Sequence, residues 1–176
     1  MDYNAIIKQY KSNRVGCIRE CKIIQFCLKS PNIEIAISRA VMARDENGNK
    51  HSHQRRFVKD NTLAELYTKL LKIKDKIIIV NNFDELFELI YKTYVFNDRF
   101  SLTIYDTALR LGFYLNKFPE KIYLHAGTKI GIEKLIGKIE NHFVMKKYLP
   151  EPFKSCDLNE YELEDLFCIY KDEIKK

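Results

Sequence analysis

Apolar residues return every three or four positions along most of this chain, which is the spacing that places them on one face of an α-helix. For example, Ile33, Ile37, Ala40 and Val41 follow the i, i+4, i+7, i+8 order of such a face. The same spacing predicts eight helices, over residues 3–12, 16–28, 30–44, 62–71, 82–95, 104–115, 128–139 and from 159 into the C-terminal segment. The chain is therefore expected to be mainly α-helical.

Residues whose side chains can cap a helix stand at most of the predicted helix starts. Ser30 precedes Pro31, and proline is favoured at the first helical position. Three pairs have the spacing of a capping box: Thr62 with Glu65, Asn82 with Glu85, and Asn159 with Glu162. Thr103 and Thr128 are expected to begin the helices that follow them.

Two short stretches allow extended structure, and nothing in the sequence marks a domain boundary. Residues 76–80 are compatible with a buried strand or with the end of a helix, and residues 122–127 are predicted to be extended. The length of 176 residues suits one domain. We therefore expect one compact, mainly α bundle of seven or eight helices with at most one short strand pair. In it, an acidic helical segment at 151–176 docks on a basic body at 1–150.

Composition narrows the class of protein. Hydrophobic residues make up 46% of the sequence, which supplies one sizeable core. Neither a run of about 18 apolar residues nor the pattern of a signal peptide is present. A cytoplasmic protein without membrane contact or cofactor is the expectation. Its five cysteines are predicted to be buried thiols rather than disulfides or metal ligands: Cys17, Cys21, Cys27, Cys156 and Cys168.

Charge is distributed unevenly along the chain. Residues 1–150 carry a net charge of +10 and residues 151–176 a net charge of −4. A basic body suits a polyanion such as nucleic acid, because each neutralised phosphate releases condensed counterions. A lysine-rich solvated surface gives the same composition, so charge alone leaves both interpretations open.

The most basic short segment follows a predicted turn at residues 45–49. Its cationic and histidine side chains predict contact with phosphate groups: Lys50, His51, His53, Arg55 and Arg56. In an extended segment His51 and His53 would point the same way, which also permits a shared metal ion. A solvated basic loop is the third interpretation.

A second candidate phosphate site is the turn at residues 125–131. An extended segment turns there at Gly127 into a helix, so backbone amides between His125 and Thr128 can face an anion. Lys129 adds a cation at the same place. A helix start capped by Thr128 explains these residues without a ligand.

The third candidate is the start of the helix predicted at residues 104–115. The sequence Thr103-Ile104-Tyr105-Asp106-Thr107-Ala108-Leu109-Arg110 follows a break at residues 96–100. Residues 96–131 thereby resemble the helix-hairpin-helix region of base-excision DNA glycosylases, in which backbone amides of the turn approach a DNA phosphate. The resemblance implies DNA binding and a lesion-processing step on a flipped base, with Asp106 as the acidic catalytic residue.

The same helix start has two interpretations that rest on its residues alone. In one, Arg110 is a phosphate ligand and Tyr105 stacks on a bound strand. In the other, Asp106 and Arg110, at i and i+4, form an ordinary exposed ion pair.

These segments predict a protein that binds nucleic acid, DNA rather than RNA, mainly through phosphate contacts and with little sequence specificity. The predicted interface joins residues 50–56, the start of the helix near 103, and the turn at 125–131. One alternative is a protein–protein interaction module that docks a partner through its acidic tail and apolar helices. The other is a small metal- or phosphate-dependent hydrolase that uses His51, His53 and His125.

Overall fold

A computed structural model describes residues 2–13, 15–51, 58–93 and 101–175 of the chain. The chain forms two compact units. Unit 1 consists of Met1–Cys17 together with Pro119–Lys176, and unit 2 consists of Ile18–Phe118. The N-terminal helix therefore belongs to the same unit as the last third of the chain.

The described residues are mainly helical with one short antiparallel sheet, which confirms the predicted fold class. The helices in these ranges are α1 (Tyr3–Asn13), α2 (Val15–Leu28), α3 (Ile33–Met42), α4 (Asp60–Lys72), α5 (Lys74–Ile78), α6 (Phe83–Thr93), α7 (Ser101–Leu115), α8 (Ala126–Ile136) and α9 (Glu160–Ile169). Strands β1 (Ile122–Tyr123) and β2 (Phe143–Val144) pair with Tyr123 opposite Phe143. A 3₁₀-helix, Lys146–Tyr148, follows β2.

Helix α3 is the centre of unit 2 and packs against α4, α5 and α7. Of the four residues of its predicted face, Ile37, Ala40 and Val41 are fully buried and Ile33 is half-buried. Ala36, which was not among them, is fully buried too. Leu63, Leu66 and Leu70 of α4 are buried as well. Helix α6 packs on α7 and α4 and closes this core.

The core of unit 1 forms around α9, which packs against α8 and β1. Three α9 side chains, Leu163, Leu166 and Phe167, are fully buried there. Helix α1 packs into the same core, and its Tyr10 hydroxyl donates a hydrogen bond to Asp165 at 3.1 Å. The acidic C-terminal helix is therefore packed within unit 1.

Two of the predicted capping pairs are present. The Asn159 side chain accepts from the Glu162 amide at 3.1 Å, and the Glu162 carboxylate accepts from the Asn159 amide at 3.0 Å. At the start of α6, the Asn82 side chain accepts from the Glu85 amide at 2.9 Å. The Glu85 carboxylate accepts from the amide of Asn81, one residue earlier than a standard capping box requires.

Two helices begin at other residues than predicted. Asn32 caps α3, since its side chain accepts from the Ile35 amide at 3.0 Å, and the cap predicted at Ser30 is wrong. Helix α4 begins at Asp60 without a side-chain cap, so the capping box predicted at Thr62 is also wrong. Residues 76–80 contain the end of a helix, α5, rather than a strand.

Thr103 and Thr128 lie inside their helices instead of starting them. Helix α7 begins at Ser101 and α8 at Ala126, and both threonines are buried. The Thr128 hydroxyl donates to the Glu164 carboxylate on α9 at 2.5 Å. This partner is 36 residues away, so no local capping pattern reveals it.

The cysteines confirm only part of the prediction. The described thiols form no disulfide, and Cys27 is fully buried. Burial raises the pKa of Cys27 to about 12, so this thiol stays protonated and unreactive at neutral pH. Cys21 is exposed, while Cys156 and Cys168 are half-buried, so general burial was the wrong expectation for these three.

Replacing Asn159 with alanine is expected to lower the free energy of unfolding by about 1 kcal/mol, because it removes the cap of α9. Chemical denaturation measures this change. The control is Asn141→Ala, which replaces an exposed asparagine outside any helix. Equal effects of the two substitutions would contradict a stabilising role for the cap.

Candidate functional site

In unit 2, the predicted turn at residues 45–49 forms a tight hairpin whose ends, Arg44 and Lys50, form a β-bridge. The Asp45 carboxylate accepts a hydrogen bond from the Asn49 amide at 2.9 Å, and this bond lowers the pKa of Asp45. Gly48 has a φ of 80°, a backbone conformation that residues with a Cβ rarely adopt. The hairpin thus holds Arg44 and Lys50 opposite each other.

An open groove lies between this hairpin and the N-terminus of α4. Its walls are formed by Arg44, Gly48, Asn49, Lys50, Val58, Lys59 and Asp60. The Lys50 side chain is only 10% exposed, because its ammonium donates to the Val58 carbonyl at 3.2 Å and to Asp60 at 2.6 Å. The groove therefore contains a cation that is held in place by the fold.

The charges that line the groove do not balance. Asp60 is 2.6 Å from Lys50 and 3.6 Å from Arg44, and the hydrogen bond from Lys50 lowers the pKa of Asp60. Lys59 lines the same groove, so its charged lining residues are three cations and one carboxylate. The local surplus of positive charge makes this groove the candidate functional site.

The basic segment predicted at residues 50–56 connects directly to the groove. Lys50, its first residue, lines the groove, and so does Val58, which follows the segment. His53, Arg55 and Arg56 lie outside the described residues, so their predicted phosphate contacts remain predictions.

Arg110 lies in the interior of unit 2, where it forms an ion pair that the sequence does not reveal. Its guanidinium donates to both carboxylate oxygens of Glu20, at 2.6 and 2.7 Å, and to the Ala40 carbonyl at 3.0 Å. The Asp106 carboxylate is 3.6 Å from the Nη2 atom of the same guanidinium. The alternative of an exposed Asp106–Arg110 pair is therefore wrong, because Arg110 is fully buried.

This ion pair also brings His51 to the cluster. The His51 imidazole is 3.7 Å from Glu20, so two of the predicted site residues, His51 and Arg110, lie beside one carboxylate that was not predicted. Asp106, a third predicted residue, joins the cluster through Arg110. Burial alone would lower the pKa of Arg110, but the charges of Glu20 and Asp106 raise it. Arg110 is thus permanently charged, and its donors are used inside the protein. A catalytic role for Asp106 stays a prediction.

The region that resembles a helix-hairpin-helix is described only in part. Residues 96–100, which would form its turn, lie outside the described residues. Tyr105, the predicted stacking residue, is fully buried, and its ring packs edge-on against Phe83 at a centroid distance of 6.1 Å. A stacking platform needs an exposed ring face, so the interface proposed below does not include Tyr105.

In unit 1, the turn at residues 125–131 packs against α9. His125 is buried and lies 3.3 Å from the Glu164 carboxylate, which also accepts from Thr128. A Cβ on Gly127 would lie 2.9 Å from the Cys168 sulfur, so this glycine permits close helix contact. Lys129 is exposed and lies 3.9 Å from Glu133. Internal packing thus accounts for His125, Gly127 and Thr128.

The predicted site residues are divided between the units. Lys50, His51, Tyr105, Asp106 and Arg110 belong to unit 2, whereas the residues of the turn at 125–131 belong to unit 1. Within the described ranges, no three His, Cys, Asp or Glu side chains are grouped to hold a metal ion. The hydrolase alternative therefore gains no support from these residues.

Sequence reasoning missed four charged residues of the cluster and the groove. Arg44, Lys59 and Asp60 flank the predicted turn and the basic segment, so a wider window around that segment would have included all three. Glu20 is 90 residues from Arg110 in the sequence, and no spacing rule connects them.

No helix among the described residues is long and apolar enough to cross a membrane. Comparison with models of protein families, with curated proteins and with solved structures finds no match to this chain.

Proposed function

We propose that this protein binds nucleic acid, DNA in the first instance, through phosphate contacts made at the groove of unit 2. The observation that supports this proposal is the groove itself, which is lined by three cations, Arg44, Lys50 and Lys59, and by the carboxylate of Asp60. Lys50, the first residue of the most basic segment of the chain, lines this groove, and so does Val58, two residues after that segment. A phosphate backbone offers the complementary charge at regular spacing.

The chemistry of the groove favours binding that is largely independent of base sequence. Lysine attracts phosphate as a point charge, and the guanidinium of arginine can donate two parallel hydrogen bonds to two phosphate oxygens. The Arg44 side chain is 45% exposed and therefore accessible to a ligand. Contacts to phosphate position a duplex without reading its bases.

The double substitution Arg44→Ala/Lys59→Ala is expected to weaken binding of a labelled DNA duplex about tenfold at roughly 50 mM salt. The slope of log affinity against log salt should fall in magnitude by about 2, because two phosphate contacts are lost. Fluorescence anisotropy at several salt concentrations measures both quantities, with RNA and single-stranded DNA tested in parallel.

The matched control is Lys69→Ala/Lys72→Ala, which removes the same charge from the C-terminal end of α4. At 1.5 Å per residue, these positions are roughly 15 Å or more from the groove along the helix. Equal weakening by the two double substitutions would show diffuse attraction and contradict the groove. No binding of any nucleic acid at low salt would contradict the proposed function and favour the protein–protein alternative.

A further inference from the structure

Two exposed aromatic rings in unit 1 have lysines beside them, one on the outer face of the small sheet and one in the 3₁₀-helix that follows β2. Ile122 and Val144 point into the core, so the residues that alternate with them point the other way. Phe143 lies on this outer face and is 38% exposed. Lys121, the residue before strand β1, places its ammonium over the Phe143 ring, 4.4 Å from the ring centroid.

A second ring of the same kind follows five residues later. Tyr148, in the 3₁₀-helix after β2, is 66% exposed, and the Lys147 ammonium is 5.2 Å from its ring centroid. Both exposed rings of this segment therefore carry an adjacent cation. The exposed His142 precedes Phe143 directly.

The environment of these rings differs from that of two other tyrosines. Tyr105, the predicted stacking residue, is fully buried, and Tyr123, which pairs with Phe143 in the sheet, is buried as well. Phe143 and Tyr148 expose apolar rings that the core of unit 1 does not require. Lysines hold positive charge next to the rings, although Glu120 is also exposed nearby in the sequence.

We propose that the segment from Phe143 to Tyr148 binds single-stranded nucleic acid by stacking unpaired bases on these two rings. Lys121 and Lys147 would then contact the phosphates that flank each stacked base. Every base has a π-face, and alternating aromatic and cationic side chains are the arrangement that binds single strands without sequence preference. This inference rests on the proposed nucleic-acid binding and names the form of the ligand.

A single-stranded ligand is favoured over a duplex for a geometric reason. The flat face of a base is accessible to a side chain only where the base is not stacked in a duplex. A duplex presents only its phosphates to such rings and lysines. Two lysines make few phosphate contacts, so they give a duplex little affinity.

The experiment compares a labelled 12-nucleotide oligothymidine with an abasic oligonucleotide of the same length and charge. The abasic strand keeps its phosphates but cannot stack. The wild-type protein is expected to bind oligothymidine at least about fivefold more tightly. Phe143→Ala/Tyr148→Ala should abolish this preference and leave the affinity for the abasic strand unchanged.

Two further variants separate stacking from loss of structure. Phe143→Tyr keeps a ring and should keep the preference for oligothymidine. Tyr91→Ala removes a ring that is 49% exposed on α6 and should also keep it. Circular dichroism and thermal denaturation confirm that each variant is folded before its affinity is compared.

The outcomes distinguish this inference from the proposed function. Equal affinity of the wild-type protein for the two strands, with steep salt dependence, would overturn stacking and leave phosphate binding intact. A preference for oligothymidine that survives in Phe143→Ala/Tyr148→Ala would also overturn it. No binding of either strand or of a duplex at low salt would overturn both.

Discussion

Replacing Glu20 with alanine is expected to lower the free energy of unfolding by about 3 kcal/mol. The substitution removes the carboxylate that accepts two hydrogen bonds from Arg110, and it leaves a fully buried guanidinium behind. Breaking a buried pair from one side generally costs about 3–5 kcal/mol. The lower end applies here, because Asp106 and the Ala40 carbonyl remain as partners.

Chemical denaturation tests this expectation against two other variants. Glu88→Ala removes one half of an exposed ion pair on α6 and should change stability by at most about 0.5 kcal/mol. The double substitution Glu20→Leu/Arg110→Met should recover most of the loss, since apolar side chains often replace a buried ion pair without penalty. A loss below about 1 kcal/mol for Glu20→Ala would mean that the pair does not stabilise the interior.

The ion pair shows which part of the structure was not accessible from the sequence. Asp106 and Arg110 were placed correctly on one helix, and their spacing predicts contact. Helical spacing says nothing, however, about which distant residue lies opposite that face. Glu20 and Ala40 supply the partners from α2 and α3, and they turn an expected surface pair into a buried one.

Helix positions were predictable because their cause is local. The stripe on α3 and the capping box at Asn159 depend on residues within a few positions of one another. Helix starts were less predictable where the capping side chain bonds elsewhere. Thr128 is such a case, since its hydroxyl bonds to Glu164 on another helix.

The candidate site was predictable in part. The turn chemistry of residues 45–49 and the charge of the segment after it both indicate the hairpin and a basic surface. The approach of α4, which supplies Lys59 and Asp60 to the groove, is a tertiary contact and has no signature in the segment itself. Tyr148 shows the same limit, because exposure of a ring follows from the packing around it.

The largest expected effect in unit 1 comes from Gly131, at which α8 lies close against the backbone of α9. A Cβ at this position would meet the Phe167 carbonyl oxygen at 2.5 Å, well inside ordinary contact distance. The obstacle is backbone, so no side-chain rotation relieves it, and the two helices must separate. Gly131→Val is expected to lower the free energy of unfolding by about 3 kcal/mol, the upper end of the usual cost of overpacking.

Gly131→Ala and Gly127→Ala are expected to cause smaller losses of stability than Gly131→Val. Alanine gains about 1 kcal/mol of helix propensity over glycine, which offsets part of the clash at either position. Gly127→Ala should be the milder change, because its nearest obstacle is the Cys168 sulfur at 2.9 Å, and Cys168→Ala in the same chain should relieve part of the strain.

The control in thermal and chemical denaturation is Ile130→Ala, which replaces an exposed residue of α8. If Gly131→Val were as stable as the control, the close approach of α8 and α9 would be wrong. Confirmed, the gradient would show that Gly127 and Gly131 serve the packing of α8 against α9.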